Sequence, residues 1–144
     1  MVNCNTIPLS YSFHEINKLF FNCVKNEADM LGINPTYRFI FMALCNKEGI
    51  NQSEICKVVH LKKSSISLTL QQMENEGLII RCKANDDNRQ TIVRLTDKGI
   101  QLDQKLKDIF KKWEKIVESA LNNDELISLK GSLFKIKNAL NGGE

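Results

Sequence analysis

Apolar residues recur along this chain at two periods, and each change of period marks an element. Between 12 and 31, Phe13, Ile16, Phe20, Val24 and Leu31 return at roughly helical intervals. Ser12 and Glu15 have capping-box spacing at its start, and Gly32 suits the left-handed position beyond its end. Asn34-Pro35 opens a second helix, with Asn as cap and Pro in the first turn, where its missing N–H costs nothing. Tyr37, Phe41 and Leu44 (or Ile40) mark its buried face, and Gly49 ends it.

Asn51 and Glu54 repeat the capping-box spacing and start a short helix to about Val59, with Ile55, Val58 and Val59 inward. After a break at His60-Leu61 a further helix runs from 63 to 76. Ile66, Leu70 and Met73 form its single apolar stripe, and Gly77 terminates it. Leu78, Ile79 and Ile80 begin a strand, and Thr91, Ile92 and Val93 a second. The polar ANDDN between them is turn chemistry, so the pair predicts a hairpin.

Thr96 caps the next helix, and Asp97 in its first turn meets the positive end of the dipole. Ile100, Leu102, Leu106, Ile109, Phe110, Trp113, Ile116, Val117, Ala120 and Leu121 give it a broad apolar face. Asn122 and Glu125 cap a last helix to about Leu140, striped by Leu126, Leu129, Leu133, Ile136 and Leu140. The fold class expected is mainly α with a small β-hairpin wing. Residues 51 to 96 in particular read as helix, turn, helix, strand, loop, strand, which is the order of a winged helix-turn-helix.

Composition narrows the function. No apolar run approaches the roughly 18 residues of a membrane span, and the N-terminus lacks the pattern of a secretory signal. A cytoplasmic protein without a membrane partner is the expectation. The net charge of +3 is small, but its location is informative. Between Lys57 and Arg94 seven basic residues face four acidic ones, so that segment carries the whole excess. Phosphate attraction would need it there. The five cysteines are odd in number and lack a C-x-x-C pair, which favours reduced thiols over a disulfide framework. No glycine-rich phosphate loop or nucleophile motif is present, so no enzyme and no cofactor are expected.

The segments INPTYRFIFMAL, NQSEICKVV, KKSSISLTLQQMENEGLI and DNRQTIVRLTDKG, taken in order, resemble the MarR (multiple antibiotic resistance regulator) family of transcription factors. The last is the most specific: Asp87, Arg89, Leu95, Thr96 and Gly99 hold the places of the family's wing signature. The resemblance covers about 10 to 140. It implies one MarR-like subunit over 1–144, with a DNA-binding part at 34–96 and dimerisation helices at 10–32 and 97–141. It also implies a homodimer that binds double-stranded DNA on a pseudo-palindromic operator, as a repressor released by a small aromatic effector. The apolar face of 97–140 agrees, being too broad for a thin subunit to cover. Obligate interfaces bury about 2,000 Å² or more.

The helix of 63 to 76 points Ser64, Ser65, Ser67, Leu68, Gln71 and Gln72 away from its apolar stripe, toward base edges or phosphates, with Lys62 and Lys63 near phosphate at its start. The family often carries Arg at the place of Leu68 and charged residues at those of Gln71 and Gln72. Leucine cannot make the bidentate guanine contact but packs on a thymine methyl, so an A·T-rich site is predicted. By resemblance Arg89, with Asn88 beside it, enters the minor groove, and Asp87 orients the guanidinium.

Tyr37 and Phe41 are candidates for an effector crevice, with simple core packing as the alternative. Cys23, in the first helix, is the redox candidate, set against buried inert thiols. Cys56 and His60 could share a helix face, but zinc needs more ligands, so no metal is expected. The competing reading of the whole is a winged helix that serves protein–protein contact or a redox- or metal-sensing regulator.

Overall fold

The computed structural model describes residues 6–45, 49–59, 61–83 and 90–142. Among the described residues, six helices and three strands follow in the order α1 (Leu9–Met30), α2 (Tyr37–Leu44), β1 (Ile50–Asn51), α3 (Gln52–Val59), α4 (Lys63–Asn75), β2 (Ile79–Lys83), β3 (Thr91–Leu95), α5 (Asp97–Ser119) and α6 (Asn123–Leu140). The chain divides into two compact units, Met1–Ile109 and Phe110–Glu144. The expected class, mainly helical with a small antiparallel sheet, is the one found.

In the first unit, α2, α3 and α4 pack with the sheet around a core of Ile40, Phe41, Leu44, Ile55, Ile66, Leu70, Met73, Leu78, Ile79 and Val93, all buried. The predicted stripe on α4 is complete, with Ile66, Leu70 and Met73 fully buried. Burying side chains of this size stabilises by about 1.5–3 kcal/mol each. Leu106 and Ile109 of α5 are also buried.

Local capping chemistry acts where the sequence places it. Asn51 Oδ1 accepts from Glu54 N at 2.9 Å, while Glu54 Oε2 accepts from Asn51 N at 3.0 Å. Asn122 and Glu125 make the same reciprocal pair before α6. At Asn34 it does not: α2 begins at Tyr37 with Thr36 as its N-cap and no side-chain cap bond, so Asn34 is not the cap and Pro35 precedes the helix, with Asn34 Oδ1 accepting from Thr36 N at 3.0 Å in the turn before it. Gly32 and Gly77 adopt φ of +66° and +72°, the left-handed ends expected after α1 and α4.

Four further expectations need correction. Helix α1 starts earlier than Ser12: its N-cap is Pro8, whose carbonyl accepts from Tyr11 N and Ser12 N. Ser12 therefore lies inside the helix, and the Ser12–Glu15 spacing is not a cap. On the same helix Val24 and Ala28 are buried, but Phe13, Ile16 and Leu31 are exposed. Only the C-terminal end of α1 meets the core of its own unit.

Gly49 does not end α2, which stops at Leu44. Gly49 instead has φ +142° against β3, where an added Cβ would lie 2.4 Å from Ile92 Cγ2. It opens β1, a two-residue strand that local sequence does not announce. Ile50 pairs with Val93 and Asn51 with Ile92, so the hairpin becomes a three-stranded sheet ordered β1-β3-β2. Finally Val58 is exposed, and of the three apolar residues expected inward on α3 only Ile55 is fully buried.

Candidate nucleic-acid interface

Every residue expected to read DNA from α4 is on the surface. Lys62, Lys63, Ser64, Ser65, Ser67, Leu68, Gln71 and Gln72 are all exposed, Leu68 to 70%. Ser64, Leu68, Gln71 and Gln72 lie on the side of the helix away from the buried Ile66, Leu70 and Met73, Ser65 and Ser67 lie on its flanks, and Lys62 and Lys63 stand at its start. No side chain caps the start of α4 at Lys62. Asp87, Asn88 and Arg89 lie outside the described residues.

The far end of α4 is held by three elements. Tyr37 Oη, on α2, donates to Glu76 Oε1 at 2.8 Å. Burial and the Glu76 carboxylate raise the Tyr37 pKa, so the hydroxyl keeps its proton and remains a donor. Thr96 performs two tasks: its hydroxyl donates to Gly77 O at 2.6 Å and accepts from Gly99 N at 3.1 Å. The second contact is the predicted helix cap. Lys98 Nζ adds a bond to Glu76 O at 2.7 Å.

Gly99 explains itself only in three dimensions. A Cβ there would stand 2.1 Å from the carbonyl oxygen of Leu78. The first turn of α5 thus lies directly on the chain that leaves α4, and Leu95-Thr96-x-x-Gly99 acts as one joint.

Two paired carboxylates brace the reader. Arg81 on β2 donates from Nε to Glu74 Oε2 of α4 at 2.8 Å, tying the strand to the helix. That bond holds the Glu74 carboxyl below its usual value of 4.5. It therefore contributes stability above pH 4.5 and loses it as the pH falls through the lowered value. Glu74→Gln is expected to lower the urea midpoint at pH 7, with the difference from the parent closing in strongly acid solution. An equal difference at both pH values would remove the ion pair from the account.

The second brace is Asp103, a carboxylate buried on α5. Its Oδ1 meets Arg38 Nη1 of α2 at 3.2 Å, and its Oδ2 meets Lys107 Nζ at 2.6 Å. The bond from Asp103 raises the Lys107 pKa. The sequence reading missed Asp103, although a charged residue in the apolar stripe of Leu102, Leu106 and Ile109 was a signal in plain view.

The other candidates separate from this surface. Tyr37 and Phe41 are core residues, with rings packed edge-to-face at 6.4 Å. Cys23, Cys45, Cys56 and Cys82 are free thiols of intermediate burial. His60 lies outside the described residues, and among those described no group of three or more metal-capable side chains occurs. Among them, too, no helix is long and apolar enough to cross a membrane.

An exposed polar helix, braced from behind and followed by a hairpin that closes a three-stranded sheet, is the architecture of the winged helix-turn-helix class of DNA-binding proteins. The MarR family model matches residues 33–91. The HTH-type transcriptional regulator MhqR of Bacillus subtilis is 32% identical over 123 residues, which span 85% of this chain and 76% of that protein. Another Bacillus subtilis HTH-type transcriptional regulator, YdgJ, is 28% identical over 134 residues, 93% of this chain and 80% of the relative. The fold is that of S. aureus MepR in its crystallised DNA complex, with a TM-score of 0.84 and 23% identity over 92% of this chain and 98% of MepR. The chain belongs to the MarR family.

Proposed function

We propose that two copies of this chain pair through α1, α5 and α6, present their α4 helices to successive major grooves of a pseudo-palindromic operator, and repress transcription from it. One observation carries the pairing: α6 has 18 residues and buries none of them. Ile127, Leu129, Leu133, Phe134 and Leu140 stand exposed along it, as do Leu9, Ile16 and Leu19 on α1. Apolar helices with that much open surface need another surface to cover them. A twofold partner supplies it and sets the spacing of the two readers. Sedimentation is expected to give a dimer, and a folded monomer at micromolar concentration would sink the pairing.

The exposed Ser, Gln and Leu side chains of α4 support an A·T-rich site, with Leu68 on a thymine methyl and Gln71 or Gln72 on adenine. Sequencing the DNA retained by the protein from random pools tests this, and G·C-rich half-sites would contradict it. Arg89→Ala is expected to weaken operator binding by tenfold or more (about 1.4 kcal/mol) while the dimer stays folded. Retained affinity in a fluorescence-anisotropy titration would take the wing out of the mechanism. Salt separates this reading from a protein-interaction module. A DNA reader loses affinity steeply as salt rises, and an interaction module binds little DNA at any salt. A DNA partner in turn places the protein in the cytoplasm.

Release by a small effector is the remaining part of the proposal. Tyr37 and Phe41 are packed, so a ligand using them would have to displace core rings. A groove of about 660 Å³ beside the end of α4 is better suited, bordered by Leu31, Ile33, Leu78, Leu102, Lys98 and Lys105. A ligand there would act on the joint that orients α4, favouring a dimer whose readers are wrongly spaced.

A further inference from the structure

Between the start of α4 and the base of the hairpin lies a second, smaller cleft of about 300 Å³. It is lined by Asn51, Gln52, Ser53, Lys63, Gln90 and Thr91, which come from β1, α3, α4, the segment before β3, and β3. All six are polar, one is a cation, and none is a carboxylate. The nearest acid in sequence, Glu54, has its Oε2 engaged by Asn51 N. Asn51 Oδ1 is engaged by Glu54 N, so the end it can turn to a ligand is the amide donor. A cleft offering one ammonium, two hydroxyls and three amides suits a singly charged group that only accepts hydrogen bonds.

Its position says which one. Lys63, Ser67, Gln71 and Glu74 follow one another at spacings of four, four and three, so they share a flank of α4. Glu74 bonds Arg81 of β2, which identifies that flank as the one turned to the sheet. The cleft therefore sits between the helix that would enter a major groove and the hairpin beside it. Along a duplex, a major groove and its neighbouring minor groove are separated by a single sugar-phosphate backbone. A protein engaging both must straddle that backbone.

We propose that this cleft seats one phosphate of the straddled strand, with Lys63 as the ion pair and Ser53, Thr91, Gln52 and Gln90 as hydrogen-bond donors. The proposal rests on the DNA-reading function and adds to it a fixed point of register. Such a contact positions the protein without reading sequence.

The test uses the full-length dimer, the duplex recovered by selection, and a scrambled duplex of equal length and composition. Lys63→Gln is expected to weaken both by the same factor, roughly tenfold, and to reduce the slope of log affinity against log salt by about one. Ser53→Ala with Thr91→Val removes neutral donors, so both duplexes should again weaken together, with the slope unchanged. A methylphosphonate scan should find one position in each half-site that weakens the parent but not Lys63→Gln. The assignment is overturned if the variants weaken the selected duplex alone, if they weaken neither, or if no single methylphosphonate couples to Lys63. A parent protein that binds neither duplex at low salt overturns the DNA-reading function itself, and this site with it.

Discussion

Replacing Gly99 with alanine is expected to destabilise the subunit by about 3 kcal/mol or more, a large share of the roughly 5–15 kcal/mol that holds a domain folded. Helix propensity alone predicts the opposite sign, because alanine is favoured over glycine in a helix by about 1 kcal/mol. Geometry decides the contest. The new Cβ would stand 2.1 Å from Leu78 O, and that atom is backbone, already accepting from Thr96 N at 3.1 Å. It cannot swing aside as a flexible side chain would. Relief requires lifting α5 from the chain that leaves α4, which breaks the bond from Thr96 to Gly77 as well. Urea denaturation at fixed protomer concentration measures the loss. A midpoint equal to or above the parent's would show that α5 can shift at no cost.

Asp103→Asn is the second large effect, expected to cost about 3 kcal/mol. The amide keeps the shape and removes the charge that two cations share. Arg38 and Lys107 are partly exposed and can turn toward water, which places the cost at the lower end for a broken buried pair. Lys107→Met should cost less, since Asp103 keeps Arg38. The Lys107 contribution is present at neutral pH and is lost only as the pH rises above the ordinary lysine value of 10.5. Replacing Arg38, Asp103 and Lys107 together by apolar residues of similar size is expected to recover most of the stability. If it does so while operator affinity falls, the cluster serves to orient α2 against α5 rather than to stabilise the fold. Failure of the triple variant to recover would mean that the ionic network itself is stabilising.

Elements written in nearby residues were legible from sequence. The Asn51–Glu54 and Asn122–Glu125 caps, the α4 stripe and the hairpin strands all depend on residues within a turn or two of one another, and each appears as read. The exposed face of α4 was legible for the same reason, since fixing the buried row fixes its complement.

What escaped depends on distant partners. Strand β1 is two residues long, too short to show alternation, and exists only because β3 pairs with it. Gly49 looks like a helix stop until Ile92 is brought against it. Ser12 has cap spacing, but Pro8 begins the helix a turn earlier. The exposed apolar residues of α1 obey helical periodicity without meeting their own core, and periodicity cannot say whose surface a stripe will cover. The cleft at Lys63 was invisible because its six residues are spread over forty positions of sequence and none forms a motif.

The braces on α4 all grip it from behind or from its far end. Tyr37, Arg81, Thr96 and Lys98 direct these hydrogen bonds to Glu74, Glu76 and Gly77 and not to Ser64, Ser65, Leu68, Gln71 or Gln72. If α4 reads DNA as proposed, target choice and architecture are written in separate sets of amino acids. A lineage could exchange the outward letters and acquire new promoters with no tax on folding, and an engineer could randomise the same positions on an unaltered chassis.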